Sequence, residues 1–185
     1  MRCSAKWFGS AMGRDVQPER VLVTGASGAL GPAVVDLLLS RGFRVRALAL
    51  SAPGAPEERR EVDWFVGDIN DRRLVDRAMD GVSHVVHMAA LLHINDPGPH
   101  LAAEYERVNV RGTETVVEAA MRQDVGRIVF LSTIAVYGYD RGEVLAETSD
   151  PRPDTLYART KLAGEKIVLD AQGAEGRPLG TVLRL

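Results

Sequence analysis

The sequence predicts an α/β domain built on a doubly wound parallel sheet. Short apolar runs alternate along the chain with longer stretches whose apolar residues recur at helical spacing. Strands and helices that alternate in this way form βαβ units with right-handed crossovers, which bury a parallel sheet between two helical layers. With 185 residues, of which 45% are hydrophobic and 26% charged, the chain can form one such domain with a full core.

The predicted strands are short runs rich in Val, Ile, Leu and aromatic residues, the side chains that suit extended backbone. They cover residues 20–24, 43–50, 62–66, 82–88, 127–131 and 181–185. Gly25 ends the first run, and a loop rich in Pro and Gly at residues 51–56 follows the second. The sixth run coincides with the end of the chain.

The predicted helices lie between these strands and cover residues 29–40, 71–79, 101–122 and 156–171. In the first of them, Pro32 falls in the first turn, where proline is tolerated, and Gly42 provides the stop. Residues 1–19 lack the apolar centre of a signal peptide and are predicted to be a disordered extension. Residues 20–185 are predicted to form a single domain.

Charge and composition argue against several classes of function. Lys plus Arg (23) nearly balances Asp plus Glu (25), so the net charge of -2 speaks against nucleic-acid binding and a polybasic membrane anchor. No apolar run approaches the ~20 residues of a membrane span. The single cysteine, Cys3, cannot form an intramolecular disulfide, which favours a reducing, cytoplasmic location.

The histidines do not predict a metal site. His84 and His87 fall three residues apart in a strand, so their side chains point to opposite faces of the sheet. His93 and His100 lie in a loop region without carboxylates or cysteines at ligand spacing. We therefore expect no bound metal.

A glycine-spaced turn predicts a binding site for a dinucleotide. Gly25, Gly28 and Gly31 lie three residues apart, between the first strand and the first helix. Small residues here permit a tight turn, a close backbone approach to a pyrophosphate and close packing of helix on strand, and the helix N-terminus attracts the anion. We therefore predict a Rossmann-type lobe that binds NAD or NADP. The predicted turn also includes Ser27, Ala29 and Leu30.

The choice between NAD and NADP stays open. An acid that binds the adenosine ribose is expected ~20 residues after the turn, but residues 49–51 at the end of the second strand are Ala, Leu and Ser. The nearest acids are Glu57 and Glu58. Arginines that would instead meet a 2′-phosphate are Arg46, Arg59 and Arg60, although a solvated surface charge is the favoured interpretation of each.

A Tyr-Lys pair and a nearby hydroxyl point to redox chemistry. Tyr157 and Lys161 lie one turn apart on the same face of the last helix. A nearby cation lowers the pKa of a tyrosine from ~10, so such a phenol can exchange the proton of a substrate hydroxyl while hydride moves to or from a nicotinamide. Ser132 and Thr133 follow the fifth strand, at the sheet edge where ligands bind, and each is a candidate partner hydroxyl.

Taken in order, the motifs resemble the extended short-chain dehydrogenase/reductase family, which comprises nucleotide-sugar epimerases, dehydratases and related reductases. The resemblance covers residues 20–185. It is carried by Thr24–Gly31, Gly67–Ile69, Val86–Ala90, Asn109–Thr113, Leu131–Gly138 and Tyr157–Lys161, with Glu165 beyond.

The resemblance implies a role for each matched residue. Thr133 matches the catalytic Ser/Thr that hydrogen-bonds the reacting oxygen, Tyr157 the general acid/base, and Lys161 the lysine that binds the nicotinamide ribose and lowers the tyrosine pKa. Further matched positions are Asp68 and Ile69 against the adenine, Met88, Ala89 and Ala90 along the cofactor, and Asn109 as a support of the site. The structural alternatives are a turn-forming role for Asp68 and a buried amide at Asn109.

The resemblance also implies hydride transfer at a secondary alcohol carbon of a nucleotide sugar, with a slight preference for NAD, and a homodimer. The segment Ser132–Gly138 and Glu147 favour the sugar-nucleotide branch. Family members carry a second lobe after the sixth strand, so we expect the substrate lobe to be largely missing beyond Leu185 and apolar surface to be exposed there. The alternative function is a non-catalytic NAD(P)-binding module or redox-sensing regulator.

Overall fold

A computed structural model of the chain describes residues 18–52, 61–92, 100–138, 142 and 144–185. Within them, six parallel strands form one sheet in the order β3-β2-β1-β4-β5-β6. The strands are β1 Arg20–Thr24, β2 Arg44–Ala49, β3 Val62–Val66, β4 His84–His87, β5 Arg127–Ser132 and β6 Gly180–Arg184. Each predicted strand is therefore present; β1 and β3 have the predicted bounds, and the others differ by one or two residues at one or both ends.

Five α-helices connect these strands. They are α1 Gly31–Ser40, α2 Arg72–Met79, α3 His100–Tyr105, α4 Gly112–Arg122 and α5 Leu156–Asp170. The helix predicted at residues 101–122 consists of α3 and α4 joined by a π-helical segment, Glu106–Arg111. Among the described residues there are also two short 3₁₀ helices, Ile134–Tyr137 and Ala174–Gly176, which had no signal in the sequence. None of the described helices is long and apolar enough to cross a membrane.

Helix capping explains where two of these helices begin. The Asp71 carboxylate accepts hydrogen bonds from the amides of Arg73 and Leu74 and starts α2. The Thr155 hydroxyl accepts one from the amide of Ala158 and starts α5. Both caps satisfy amides that the first helical turn leaves without a partner.

The core lies on both faces of the sheet, as a doubly wound fold requires. On one face, Leu22, Ile128 and Phe130 pack with residues of α2, α4 and α5. On the other, Val21 and Val23 pack against α1. Since strand order reverses between β1 and β4, the chain leaves these paired strands toward opposite faces of the sheet, and a crevice opens beyond their carboxyl ends.

A series of buried hydrogen bonds connects β1 and β4 to α4. His87, fully buried at the end of β4, lies 2.6 Å through Nδ1 from the Thr24 hydroxyl and 3.0 Å through Nε2 from the Thr113 hydroxyl. The Thr24 oxygen accepts from the amides of Met88 and Ala89, so its proton goes to Nδ1. The bonding assigns the imidazole proton to Nε2, and burial lowers the pKa of His87 to about 3, so the ring is neutral.

The chain of hydrogen bonds continues to α5. Thr113 donates to the Asn109 carbonyl, and the Asn109 side-chain amide donates to the Thr160 hydroxyl at 3.0 Å. Thr160 in turn donates to the carbonyl of Tyr157 at 2.9 Å. These hydrogen bonds fix the position of α5 relative to Thr24, the residue that precedes the glycine turn.

We expect His87→Leu to lower the free energy of unfolding by about 2 to 3 kcal/mol, because the buried Thr24 and Thr113 hydroxyls lose their shared partner. Urea denaturation measures the change. His84→Leu is the matched control on the same strand; His84 is partly exposed, pairs with Glu19 at 3.4 Å, and its loss should cost less than about 0.5 kcal/mol. Equal losses in the two variants would contradict the assigned role of His87.

Candidate active site

Two glycines of the turn are required by its geometry. Gly25 has a φ of +70°, and a Cβ there would lie 2.7 Å from the Ala89 nitrogen. At Gly31 a Cβ would overlap the Ala26 carbonyl oxygen, because α1 packs closely on the end of β1. Any larger residue at either position would displace the turn.

The turn presents backbone N–H groups to the crevice. The amides of Gly25, Gly28 and Gly31 are used inside the turn, by the carbonyls of Leu48, Gly25 and Gly28 respectively. The next amides at the helix N-terminus, those of Ala29 and Leu30, have no backbone partner among the described residues, and both residues are exposed. Exposed amides at a helix N-terminus are suited to bind an anion such as a pyrophosphate.

Two clefts flank the turn and share Gly25 and Ala90. The first, here called the β2 cleft, has a volume of about 200 Å³ and lies beside the ends of β2 and β3. Its walls include Ser27, Leu48, Ala49, Leu50, Asp68, Ile69, Ala89, Glu104, Arg107 and Val108. The second, the β5 cleft, has about 280 Å³ and lies beside the end of β5. Its walls include Gly28, Ala29, Leu30, Gly31, Met88, Leu92, Ser132, Thr133, Tyr157, Lys161 and Leu185.

The structure brings Thr133, Tyr157 and Lys161 together on the wall of the β5 cleft. Thr133 directly follows β5, and its oxygen accepts a hydrogen bond from the Ala135 amide at 3.2 Å, which begins the 3₁₀ helix. Its hydroxyl proton is left to donate into the cleft. Tyr157 and Lys161 come from the first two turns of α5.

The hydroxyl of Ser132 is already used in a hydrogen bond within the protein. It is buried, and its hydroxyl donates to the Glu165 carboxylate at 2.5 Å. Glu165, also buried, accepts a forked pair of hydrogen bonds from Arg184 on β6, the shorter of them 2.6 Å. Arg184 packs over the Tyr137 ring and donates to its hydroxyl. Of the two candidate hydroxyls, Thr133 is therefore the one that faces the cleft without a competing carboxylate.

Lys161 is a buried cation. Its side chain is on the cleft wall but only 2% of the residue is exposed, and Nζ lies 3.9 Å from the centroid of the Phe130 ring. Burial lowers the pKa of Lys161 to about 8, and Glu165 opposes that shift. Among the described residues no side chain or carbonyl accepts a hydrogen bond from Nζ. Its donors are free for a ligand in the cleft.

The expected effect of Lys161 on Tyr157 is not found. The pKa of Tyr157 is raised above its ordinary value, first by burial and then by Tyr105. The expectation of a lowered pKa considered only the i, i+4 spacing. It neglected the removal of the phenol from water, which disfavours phenolate.

Asp68 and Ile69, the residues expected against the adenine, line the β2 cleft. One Asp68 oxygen accepts from the backbone and side chain of Asn70, and the other accepts from Arg107 at 2.6 Å. Burial raises the pKa of Asp68, but these hydrogen bonds outweigh it and the net pKa is lowered. The turn-forming and cleft-lining roles of Asp68 thus coexist.

Two other candidate residues, Asn109 and Arg46, have their polar groups hydrogen-bonded within the protein. Asn109 is buried, and its amide is used by the backbone of Leu91 and by Thr160, so it supports the site from behind and lines neither cleft. Arg46 was expected as a possible 2′-phosphate ligand, and this is wrong. Its guanidinium binds Asp63 and the carbonyls of Arg77, Ala78 and Asp80 at the opposite end of the sheet.

Some sequence candidates lie outside the described residues. They are Cys3, Glu57, Glu58, Arg59, Arg60 and His93. In the part of the chain that is described, no three His, Cys, Asp or Glu side chains are grouped to hold a metal. Sequence reasoning missed Arg107 and the Glu165–Arg184 ion pair, because both depend on contacts between segments far apart in the chain.

Comparison with known proteins assigns the chain to a family. The family model described as "NAD dependent epimerase/dehydratase family" matches residues 21–185. The chain belongs to that family. It is thus related to NAD-dependent enzymes, and its Rossmann-type sheet is the cofactor-binding fold that the sequence predicts.

Individual relatives have different reactions. The chain is 34% identical over 166 residues to a 3 beta-hydroxysteroid dehydrogenase/Delta 5-->4-isomerase of Mycobacterium tuberculosis, covering 85% of this chain and 44% of the relative. It is 36% identical over 163 residues to a dTDP-glucose 4,6-dehydratase of Streptomyces niveus, with 81% and 48% covered. The structure of MoeE5 in complex with UDP-glucose and NAD superimposes with a TM-score of 0.78 at 32% identity, covering 89% of this chain and 53% of that one. The chain spans about half the length of the relatives it matches.

Lys161→Met should raise the free energy of unfolding at pH 7 by about 3 kcal/mol, because it removes a buried charge and keeps the side-chain volume. The folded-state pKa lies below the unfolded value, so between about pH 8 and 10 the unfolded chain binds more protons at this lysine and the wild type gains stability as pH rises. The advantage of the variant should therefore shrink over that range.

Chemical denaturation at pH 7, 8.5 and 10 measures this difference. Lys166→Met is the matched control, because Lys166 is exposed on the same helix. Its difference from wild type should be small. A Lys161→Met variant that is less stable than wild type at pH 7 would show that the buried ammonium stabilises the fold.

Proposed function

We propose that the protein binds NAD or NADP across the two clefts and transfers hydride at a secondary alcohol carbon of a nucleotide sugar. The observation that carries the proposal is the arrangement of Thr133, Tyr157 and Lys161 on one cleft that continues into the glycine turn. A turn with free amides suits the pyrophosphate, and the cleft on each side suits one half of a dinucleotide.

Each of the three residues on the β5 cleft has its own role in the proposed reaction. Thr133 donates a hydrogen bond to the reacting oxygen, and Tyr157 takes or returns the hydroxyl proton. Lys161 offers its free N–H groups to the nicotinamide ribose. A bound nicotinamide supplies the hydride acceptor or donor. The raised pKa of Tyr157 favours the protonated phenol, which suits the direction in which Tyr157 gives a proton. In the direction in which Tyr157 takes a proton, the phenol must first lose its own.

Retention of Lys161 supports catalysis rather than binding alone. A buried ammonium costs stability, and a module that only binds or senses a dinucleotide has no need of Thr133, Tyr157 and Lys161 together. The competing proposal, a non-catalytic NAD(P)-binding module or redox-sensing regulator, requires cofactor binding without turnover on any substrate.

The substrate class is proposed from the relatives. One relative is a dTDP-glucose 4,6-dehydratase, and MoeE5 holds UDP-glucose with NAD. A second lobe that completes the substrate pocket is proposed to cover exposed apolar side chains near the ends of β5 and β6. They are Ile134 (60% exposed), Leu183 (45%) and Leu185 (61%).

A homodimer and a cytoplasmic location are also proposed. The homodimer is supported by large apolar side chains exposed on two neighbouring helices, Met121 on α4 and Leu169 on α5, which a second copy would cover. The location is supported by the single cysteine in the sequence. NAD is preferred over NADP because the family is NAD-dependent.

We expect Tyr157→Phe to lower kcat at least about 100-fold while the Kd for NAD changes less than about threefold, because only proton transfer is lost. The cofactor Kd is measured by titration of the 185-residue chain with NAD and NADP. Turnover is measured in a form of the protein that includes a substrate lobe, on UDP-, GDP- and dTDP-sugars. A 3β-hydroxysteroid serves as the alternative substrate.

The outcomes separate the proposals. Turnover of the steroid alone would replace the nucleotide-sugar class. Equal inactivity of wild type and Tyr157→Phe on every substrate, with cofactor still bound, would favour the regulator.

Ser132→Ala and Thr133→Ala should differ in what they lose. Without its hydroxyl, Thr133 cannot hold the reacting oxygen, and kcat should fall about 10- to 100-fold at unchanged NAD affinity. Ser132→Ala should instead lower stability by about 1 to 2 kcal/mol, because Glu165 loses a buried hydrogen bond, with kcat reduced less than about threefold. Steady-state kinetics and urea denaturation of both variants check this, and the reverse pattern in kcat would assign the role to Ser132.

A further inference from the structure

Arg107 holds an unusual position on the wall of the β2 cleft. It lies in the π-helical segment between α3 and α4 and contacts two carboxylates at once. Its Nη2 and Nε form a fork on Glu104, at 2.6 and 2.9 Å, and its Nη1 donates to Asp68 at 2.6 Å. The guanidinium plane is therefore fixed before any ligand binds.

These contacts leave Asp68 with little capacity to bind a ligand. Both of its oxygens already accept hydrogen bonds, one from Asn70 and one from Arg107, and the guanidinium neutralises its charge. Arg107 retains capacity, since a guanidinium has five N–H donors. Three are used, and the remaining two have no partner among the described residues. The polar edge of the cleft thus offers the two unused N–H donors of Arg107, beside two carboxylates that share its guanidinium.

The rest of the cleft suits a flat aromatic ring. Leu48, Ile69 and Val108 form apolar walls, and Ile69 is almost completely buried. A fixed guanidinium can stack on the face of a purine or donate to its ring nitrogens, which are acceptors. No other Lys or Arg is among the described residues that line this cleft.

We propose that Arg107 is the residue that binds the adenine ring of the cofactor, with Asp68 and Glu104 acting as positioning residues that hold its plane. The inference rests on the proposed binding of a dinucleotide. It assigns recognition of the base to a residue outside the motifs of the sequence, and it gives Asp68 an indirect role.

The test measures Kd for NAD and for AMP by calorimetry on the 185-residue chain. Arg107→Met should weaken both ligands by the same factor, about tenfold, since AMP contains the proposed contact. Arg107→Lys should weaken them about as much, because it keeps the charge but loses the plane. Thermal denaturation should show little change, because the three side chains are about 40% exposed.

Arg122→Met is the matched control. Arg122 lies at the end of α4, also contacts two carboxylates, those of Asp76 and Glu118, and is similarly exposed, but it is away from both clefts. It should change both Kd values less than twofold.

Three results would overturn the assignment. Wild-type affinity in Arg107→Met would show that Arg107 does not touch the base. Retained affinity in Arg107→Lys would show that only its charge matters. Weaker NAD with unchanged AMP would place its contact elsewhere on the cofactor. A wild-type chain that binds neither NAD nor AMP would remove the proposed function itself, which distinguishes that failure from the others.

Discussion

The site depends on the buried hydrogen-bond chain from Thr24 through His87, Thr113 and Asn109 to Thr160. It joins the strand that carries the glycine turn to the helix that carries Tyr157 and Lys161. Every donor and acceptor in the chain has its partner, which is the condition under which a buried polar network gives rigidity instead of costing stability. Because both halves of the site are attached to this one network, their separation is set by directional bonds as well as by apolar packing.

Two charged groups near the β5 cleft, Glu165 and Lys161, differ in how the protein uses their hydrogen-bonding capacity. The Glu165 carboxylate is fully used by Ser132 and Arg184, and its charges are balanced inside the protein. Lys161, one turn away on the same helix, has an aromatic ring and no acceptor for its N–H groups in the described chain. When no described residue uses the hydrogen-bonding capacity of a buried group, we expect a ligand to be its partner.

Periodicity and glycine spacing were sufficient to predict the strands, most helix limits and the turn, because these depend on residues close together in the sequence. Motif resemblance grouped Thr133, Tyr157 and Lys161, and all three line one cleft in the structure. What failed were statements about environment. The pKa of Tyr157 depends on burial, and the assignment of Arg46 depends on where its guanidinium reaches. The preference for Thr133 over Ser132 agrees with the structure, but its physical reason is Glu165, 33 positions away from Ser132. None of these can be read from local spacing.

The π-helical segment Glu106–Arg111 has a consequence for how this chain can vary. Arg107 and Asn109 both belong to it, and they serve different places, the β2 cleft and the polar chain beneath the catalytic helix. Each residue of an α-helix advances by about 100°. Loss of a single residue from the wider π turn would therefore rotate one of these side chains away from its partners. Insertions and deletions should be far less tolerated here than most substitutions, even though no residue of the segment lines the β5 cleft.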